Sequence, residues 1–137
     1  VVGSDLDGTV REPVPFLGWM RDRCPIGVLR VVGGVLAAAT ATRVNPGIRA
    51  DFYITGSPKC EERVTEIWLA AHGMLDGRHR VISDSGRSRL TQLDGERSSR
   101  WVKERWINML GLQMFYEDDL DVARYLADKT EATIINV

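Results

Sequence analysis

Asp5 and Asp7 stand two residues apart, just after the apolar opening Val1 to Ser4 and just before Gly8 and Thr9. Two carboxylates at i and i+2 beyond a strand end reach one site if the backbone bends beside them, and Gly8 supplies that freedom. One carboxylate can then attack phosphorus, while the other protonates the leaving oxygen and later activates water. Crowded acids repel one another and also repel a phosphate dianion. A hard divalent cation offsets both problems, and Mg²⁺ prefers carboxylate and water oxygens. The acidic run Glu117-Asp118-Asp119 offers further ligands. Asp118 is the first choice and Asp119 the next, with Glu117 taking the place if the strand register shifts by one.

A phosphoryl group also needs donors for its remaining oxygens. The Thr55 hydroxyl and the amides of Gly56 and Ser57, read as lying at a helix N-terminus, can supply them. Lys103, read as lying in the first turn of a later helix, adds positive charge. Lys59 and Arg105 are alternatives for that role, and a solvent-facing lysine is the plain reading. His72 and His79 have no partner at metal-ligand spacing, and neither do Cys24 and Cys60.

These residues need elements to position them. Val1–Ser4 reads as a strand, Phe52-Tyr53-Ile54 as a second ending at Thr55-Gly56, and Val81-Ile82 as a third. Leu112 to Tyr116 makes a fourth, and Thr133 to Val137 a fifth. Ser57-Pro58 is a good helix start, followed by Val64, Ile67, Trp68 and Ala71 at helical spacing and Gly73 as a stop. Ser98 and Ser99 are candidate caps for a helix whose Val102, Trp106, Met109 and Leu110 share a face, and a last helix runs from Leu120 to about Asp128. The apolar run Val28 to Ala41 reads as a buried helix, too short and interrupted for a membrane span. Residues 84 to 100 read as an exposed loop.

Strands alternating with helices predict an α/β three-layer sandwich around a parallel sheet, in a single domain with a short helical insert within residues 16–48. Ligands of such sheets sit beyond the carboxyl ends of the strands. Asp5, Asp7, Thr55, Asp118 and Asp119 all fall at those ends.

The 137-residue chain is 44% hydrophobic with a formal net charge of −1, which fits one globular core and demands no polyanionic partner. No membrane partner is expected. The residues before Asp5 leave no room for an apolar leader. The two cysteines suit a reducing cytoplasm.

Asp5-Leu6-Asp7-Gly8-Thr9 resembles motif I of the haloacid dehalogenase-like phosphatases, and Phe52 to Gly56 resembles motif II. Lys103 is similar to the motif III lysine, and Glu117-Asp118-Asp119 to the acidic motif IV. The four occur in order over nearly the whole chain. The resemblance implies a Rossmann-like parallel sheet with a minimal or absent cap, and a Mg²⁺-dependent phosphomonoesterase. It makes Asp5 the nucleophile that becomes an aspartyl-phosphate and Asp7 the general acid/base. Mg²⁺ is then bound by Asp5, the Asp7 carbonyl and Asp118.

The second half resembles the 3′-phosphatase module of phage-type polynucleotide kinases and small nucleotidases, except that Ser57 stands where that subfamily usually has Arg. The substrate expected is therefore a phosphorylated small molecule, a nucleotide or a nucleic-acid end. Arg87, Arg89, Arg97 and Arg100 would lie along the approach path. The competing readings are a phosphotransferase or mutase on the same chemistry, and a binding module that has lost turnover.

Overall fold

The computed structural model describes residues 1–75, 80–83, 88–90 and 96–137, with the side chains of 96–98 left aside. Five parallel strands form the central sheet: β1 (Val2–Ser4), β4 (Phe52–Thr55), β5 (Arg80–Ser83), β6 (Met114–Glu117) and β7 (Thr133–Asn136), in the order β5-β4-β1-β6-β7. A small antiparallel pair, β2 (Arg11–Glu12) and β3 (Thr42–Arg43), follows β1. Between its two strands lie α1 (Pro15–Asp22) and α2 (Gly27–Thr40). The remaining helices are α3 (Glu62–Ala71), α4 (Glu96–Leu110) and α5 (Leu120–Lys129).

Period-2 alternation sorts the strand residues onto two faces. Tyr53 and the partly buried Val2, Val81 and Tyr116 pack with Leu6, Val10, Trp68 and Leu69, covered by α3. Ile54 and Phe115, with Phe52, Ile82 and Ile134 at the margin, pack with Val102, Ile107, Val122 and Leu126 of α4 and α5. Two apolar clusters on opposite faces make this a three-layer α/β sandwich.

The order also fixes where a site can form. From β1 the chain moves outward through β4 to β5, then returns to the other side of β1 for β6 and β7. The carboxyl ends of β1 and β6 therefore border a topological switch point, the crevice where open α/β sheets take ligands.

Four local expectations need correction. α2 is not buried all round: Val28, Val32 and Leu36 are exposed, because its buried side is the Arg30, Gly33, Gly34, Ala37 and Ala38 face. The chain after Ser57-Pro58 first makes a 3-10 turn, Lys59–Glu61, so α3 begins only at Glu62 and Ser57 does not cap it. α4 starts at Glu96, which puts Ser98 and Ser99 inside the helix and Lys103 well past its first turn. Of the loop expected over 84–100, residues 96–100 are therefore helical, and Arg89 is buried. Arg87 and the Arg97 side chain lie outside the described residues.

Candidate active site

β1 stops at Ser4 because the chain turns back on itself there. The Leu6 carbonyl accepts from the amides of Thr9, Val10 and Arg11, closing a single helical turn directly after Asp5. Gly8 carries it at φ +86°, and a Cβ there would lie 2.1 Å from Asp118 Oδ2. Any other residue would be strained and would displace Asp118. The turn swings the buried Thr9 hydroxyl back to within 3.1 Å of Asp5 Oδ2 and 3.2 Å of Asp118 Oδ1. Thr9 thus bridges the first and last acidic motifs, a role the sequence reading does not give it.

On the other side of Asp5 lies Lys103, reaching across from α4. Its Nζ sits 2.9 Å from Asp5 Oδ1 and 2.7 Å from Glu117 Oε2, and all three side chains are buried. Burial works against the lysine's charge, but Asp5 and Glu117 outweigh it and raise its pKa well above the usual value. Burial pushes the Asp5 carboxyl well up, with Lys103 pulling the other way. Glu117 is raised for the same reason and opposed by the same lysine. One cation therefore serves two buried acids, Asp5 and Glu117, with the Asp118 carboxylate close beside them.

Ligand oxygens of Asp5, Glu117 and Asp118 all lie within 4.8 Å of one another. Oxygens sharing an octahedral Mg²⁺ at about 2.0–2.1 Å sit up to about 4.2 Å apart, so a small closure fits this donor set to a hard divalent ion. Glu117 is already engaged by Lys103 and by the Asp119 amide at 3.3 Å. Asp5 is engaged by the same lysine and by the Thr9 hydroxyl, and Asp118 by the Thr9 hydroxyl, so an ion held by this cluster would share its acids with Lys103 and Thr9. Asn136 Nδ2 donates to the Glu117 and Asp118 carbonyls at 3.0 Å each and fixes the turn that presents them.

Asp119 is occupied differently. Its carboxylate accepts from the Asp121 amide at 2.9 Å and the Val122 amide at 3.2 Å, so it caps α5. Among the described residues the acid cluster does not include it, nor the Asp7 carboxylate.

Asp7 points instead at Arg11 Nε, 2.8 Å away, and Arg21 Nη1, 3.2 Å away. Burial raises its pKa, but the two guanidiniums outweigh burial and lower it. Arg11 is itself fixed, donating to Thr65 Oγ1 at 3.1 Å and lying 5.8 Å from the Trp68 ring centre. Arg21 and Asp22 come from α1. Asp22 passes the chain of charges to Arg89, which pairs with the buried Glu61. Arg11, Arg21, Asp22 and Glu61 carry no site role in the sequence reading, and Arg89 enters it only on the expected approach path. Only Arg11, at i+4 from Asp7, gives a local signal for its pairing.

Thr55 closes the rim. The Ser57 amide donates to its hydroxyl at 3.1 Å, and that hydroxyl donates to Ser57 Oγ at 3.0 Å. Gly56 lies so close to α4 that a Cβ would meet Ser99 at 2.6 Å. The resulting cleft, of about 230 Å³, is lined by Asp5, Asp7, Arg21, Thr55, Gly56, Ser57, Lys103, Glu117, Asp118 and Asp119, among others. Asp5, Asp7, Thr55, Gly56, Lys103, Asp118 and Asp119 therefore border one cavity, whereas Lys59 and Arg105, the alternatives to Lys103, are exposed and do not line it. At roughly 30 Å³ per water, it has room for a few small groups rather than for a drug-sized ligand.

No protein-family model, no curated protein and no solved structure matches the chain. What can be said of its chemistry rests on these side chains. Acids from two adjacent strand ends, a buried lysine between them and a hydroxyl rim make a site able to bind a cation and an anion side by side.

Proposed function

We propose that the chain is a Mg²⁺-dependent phosphomonoesterase of the haloacid dehalogenase-like kind, with Asp5 as nucleophile. The observation that carries this reading is the meeting of Asp5, Asp118, Thr9 and Lys103 at the switch point, in a cleft of phosphoryl size. In the first step an Asp5 carboxylate oxygen bonds to phosphorus and the ester P–O bond breaks, leaving an aspartyl-phosphate and an alkoxide that takes a proton from Asp7. In the second step Asp7 takes a proton from water, whose oxygen attacks phosphorus and frees Asp5 and inorganic phosphate. Lys103 holds charge beside Asp5, and Thr55 with the Gly56 and Ser57 amides offers donors to the non-bridging oxygens. Asp5, the Asp7 carbonyl and Asp118 would hold Mg²⁺, which supplies counter-charge for the phosphoryl oxygens when bound.

Asp7 fits the second step as it stands, being a carboxylate held between two arginines. The first step requires those ion pairs to loosen. Substrates with acidic leaving groups, which need little protonation, should therefore be turned over best. Phosphorylated small molecules, nucleotides and nucleic-acid ends remain within the proposal. The arginine path toward a nucleic acid loses Arg89 to its pair with Glu61. No described helix is long and apolar enough to cross a membrane. Cys24 and Cys60 are both free, which suits the cytoplasmic location we assign.

Hydrolysis of p-nitrophenyl phosphate with Mg²⁺, abolished by chelator, tests the reading. A folded protein that turns over no phosphate monoester under any divalent ion would leave the rival of a silent binding module.

A further inference from the structure

The helical insert presents a surface that the proposed chemistry does not use. Phe16 and Trp19 of α1 are 65% and 47% exposed, and their rings stack at 6.1 Å. On α2, Val28, Leu29, Val32 and Leu36 are 64%, 39%, 42% and 42% exposed. α1 packs on the flank of this stripe, its Met20 and Arg21 backbone lying against Gly33.

Among the described residues of α2, no charged side chain relieves the stripe. The only charged residue of α2 is Arg30, and it is buried, with its three nitrogens on the carbonyls of Arg89, Cys24 and Leu90 at 2.7, 2.7 and 2.6 Å. The hydroxyl of Thr40 is satisfied within the helix by the Leu36 carbonyl at 2.7 Å. A solvated helix face carries charged or polar residues, and this one carries no charge and only Thr40 at its end.

We propose that this face of α1 and α2 is the contact through which two copies of the chain form a symmetric dimer. Area supports a protein-sized occupant. With about 150–250 Å² for an aromatic side chain and less for an aliphatic one, the exposed apolar residues of the two helices add up to roughly 500–600 Å². A standard interface takes about 800 Å² from each partner, roughly 65% of it apolar at most, which is the same amount. Charge supports a second copy over another partner. A two-fold contact sets a patch against itself, and an uncharged patch meets no like-charge penalty there. An interfacial membrane helix would instead carry Lys or Arg along its margin. Val28, Val32 and Leu36 also lie on one i±4 ridge, the geometry by which two such helices interlock at a crossing angle near 50°.

Sedimentation equilibrium of the full chain between about 1 and 100 µM tests this directly. The expected result is the mass of two chains for the wild type and of one chain for Val32→Asp, with unchanged circular dichroism. Val28→Glu serves if the first variant does not fold. Met109→Asp, 63% exposed on α4 across the sheet, should stay dimeric. A wild type that is monomeric throughout overturns the proposal, as does a dimer that survives both insert substitutions. A monomer that floats with phosphatidylcholine–phosphatidylglycerol vesicles overturns it in favour of a lipid surface.

Discussion

The floor and the wall of the cleft are built by different physics. The floor consists of Asp5, Glu117 and Asp118 at adjacent strand ends, with Lys103 delivered by a helix packed on the sheet. Their positions follow from the strand order and the paired registers of β1 and β6. The wall consists of Arg21 and Asp22 on α1, joined through Arg89 to Glu61, three segments whose side chains are linked here by charge pairs. Topology places the floor before any side chain is chosen. The wall exists only while each ion keeps its partner. Perturbing the floor should therefore give large effects, on chemistry, metal binding or stability according to the residue, whereas perturbing the wall should give smaller, condition-dependent ones.

Asp5→Asn is the largest expected break. An amide is a poor nucleophile and a weak metal ligand, so turnover of p-nitrophenyl phosphate should fall by roughly 10⁴-fold or more. Retention of even a tenth of the activity in a folded variant would remove Asp5 from the mechanism.

Lys103→Met comes next, read as stability. It leaves two buried acids without their shared cation, and breaking such a pair typically costs about 3–5 kcal/mol. Urea unfolding of metal-free protein should show that loss. Adding Glu117→Gln should recover part of it, because one buried charge is then gone. No recovery would mean that the lysine acts mainly through packing.

The third comparison separates neighbouring acids. Asp118→Ala should weaken Mg²⁺ binding, measured by calorimetry, while leaving the fold nearly as stable. Asp119→Ala should do the reverse, costing about 1 kcal/mol through loss of the α5 cap with little change in metal affinity. The opposite assignment would transfer the ligand role to Asp119.

Arg21→Met, in the wall, is the smallest. The Asp7 carboxyl is held below its ordinary pKa, so the stability it gains from its arginines is present above the unfolded value of about 3.9 and lost as pH falls through the lowered one. Asp7 is partly exposed, so the effect at neutral pH should stay below about 1 kcal/mol. The difference in melting temperature between wild type and Arg21→Met should shrink on acidification to pH 3 and below. A difference independent of pH would show that Arg21 contributes by packing.

The same contrast explains what the sequence reveals. Alternating apolar runs, each ending in Asp, Thr or an acidic cluster, make the sheet and the floor residues readable, since strand ends of a parallel sheet share one edge. Asp119 is readable too, as the residue directly before a helix, but its capping role competes with a metal role that uses the same atoms. Asp7's pairing with Arg21, and Arg89's with Glu61, join residues on separate elements, and no spacing rule reaches that far. The exposure of α2 escapes for a related reason. Its Val28, Val32 and Leu36 are as apolar as a core stripe, and only the position of Arg30, Gly33 and Gly34 against neighbouring segments decides which side is inside. Arg30 reads as an interruption of an apolar run, yet it is the residue that turns inward.

The proposed mechanism turns on a covalent bond between phosphorus and Asp5. Quenching the protein during turnover of a phosphate monoester, reducing with borohydride and sequencing the peptides tests it directly. Reduction of an acyl phosphate converts Asp to homoserine, and the account predicts that conversion at Asp5, dependent on Mg²⁺ and absent at Asp7. Turnover with homoserine at another residue, or with none at Asp5 while inorganic phosphate accumulates after a burst, would contradict it.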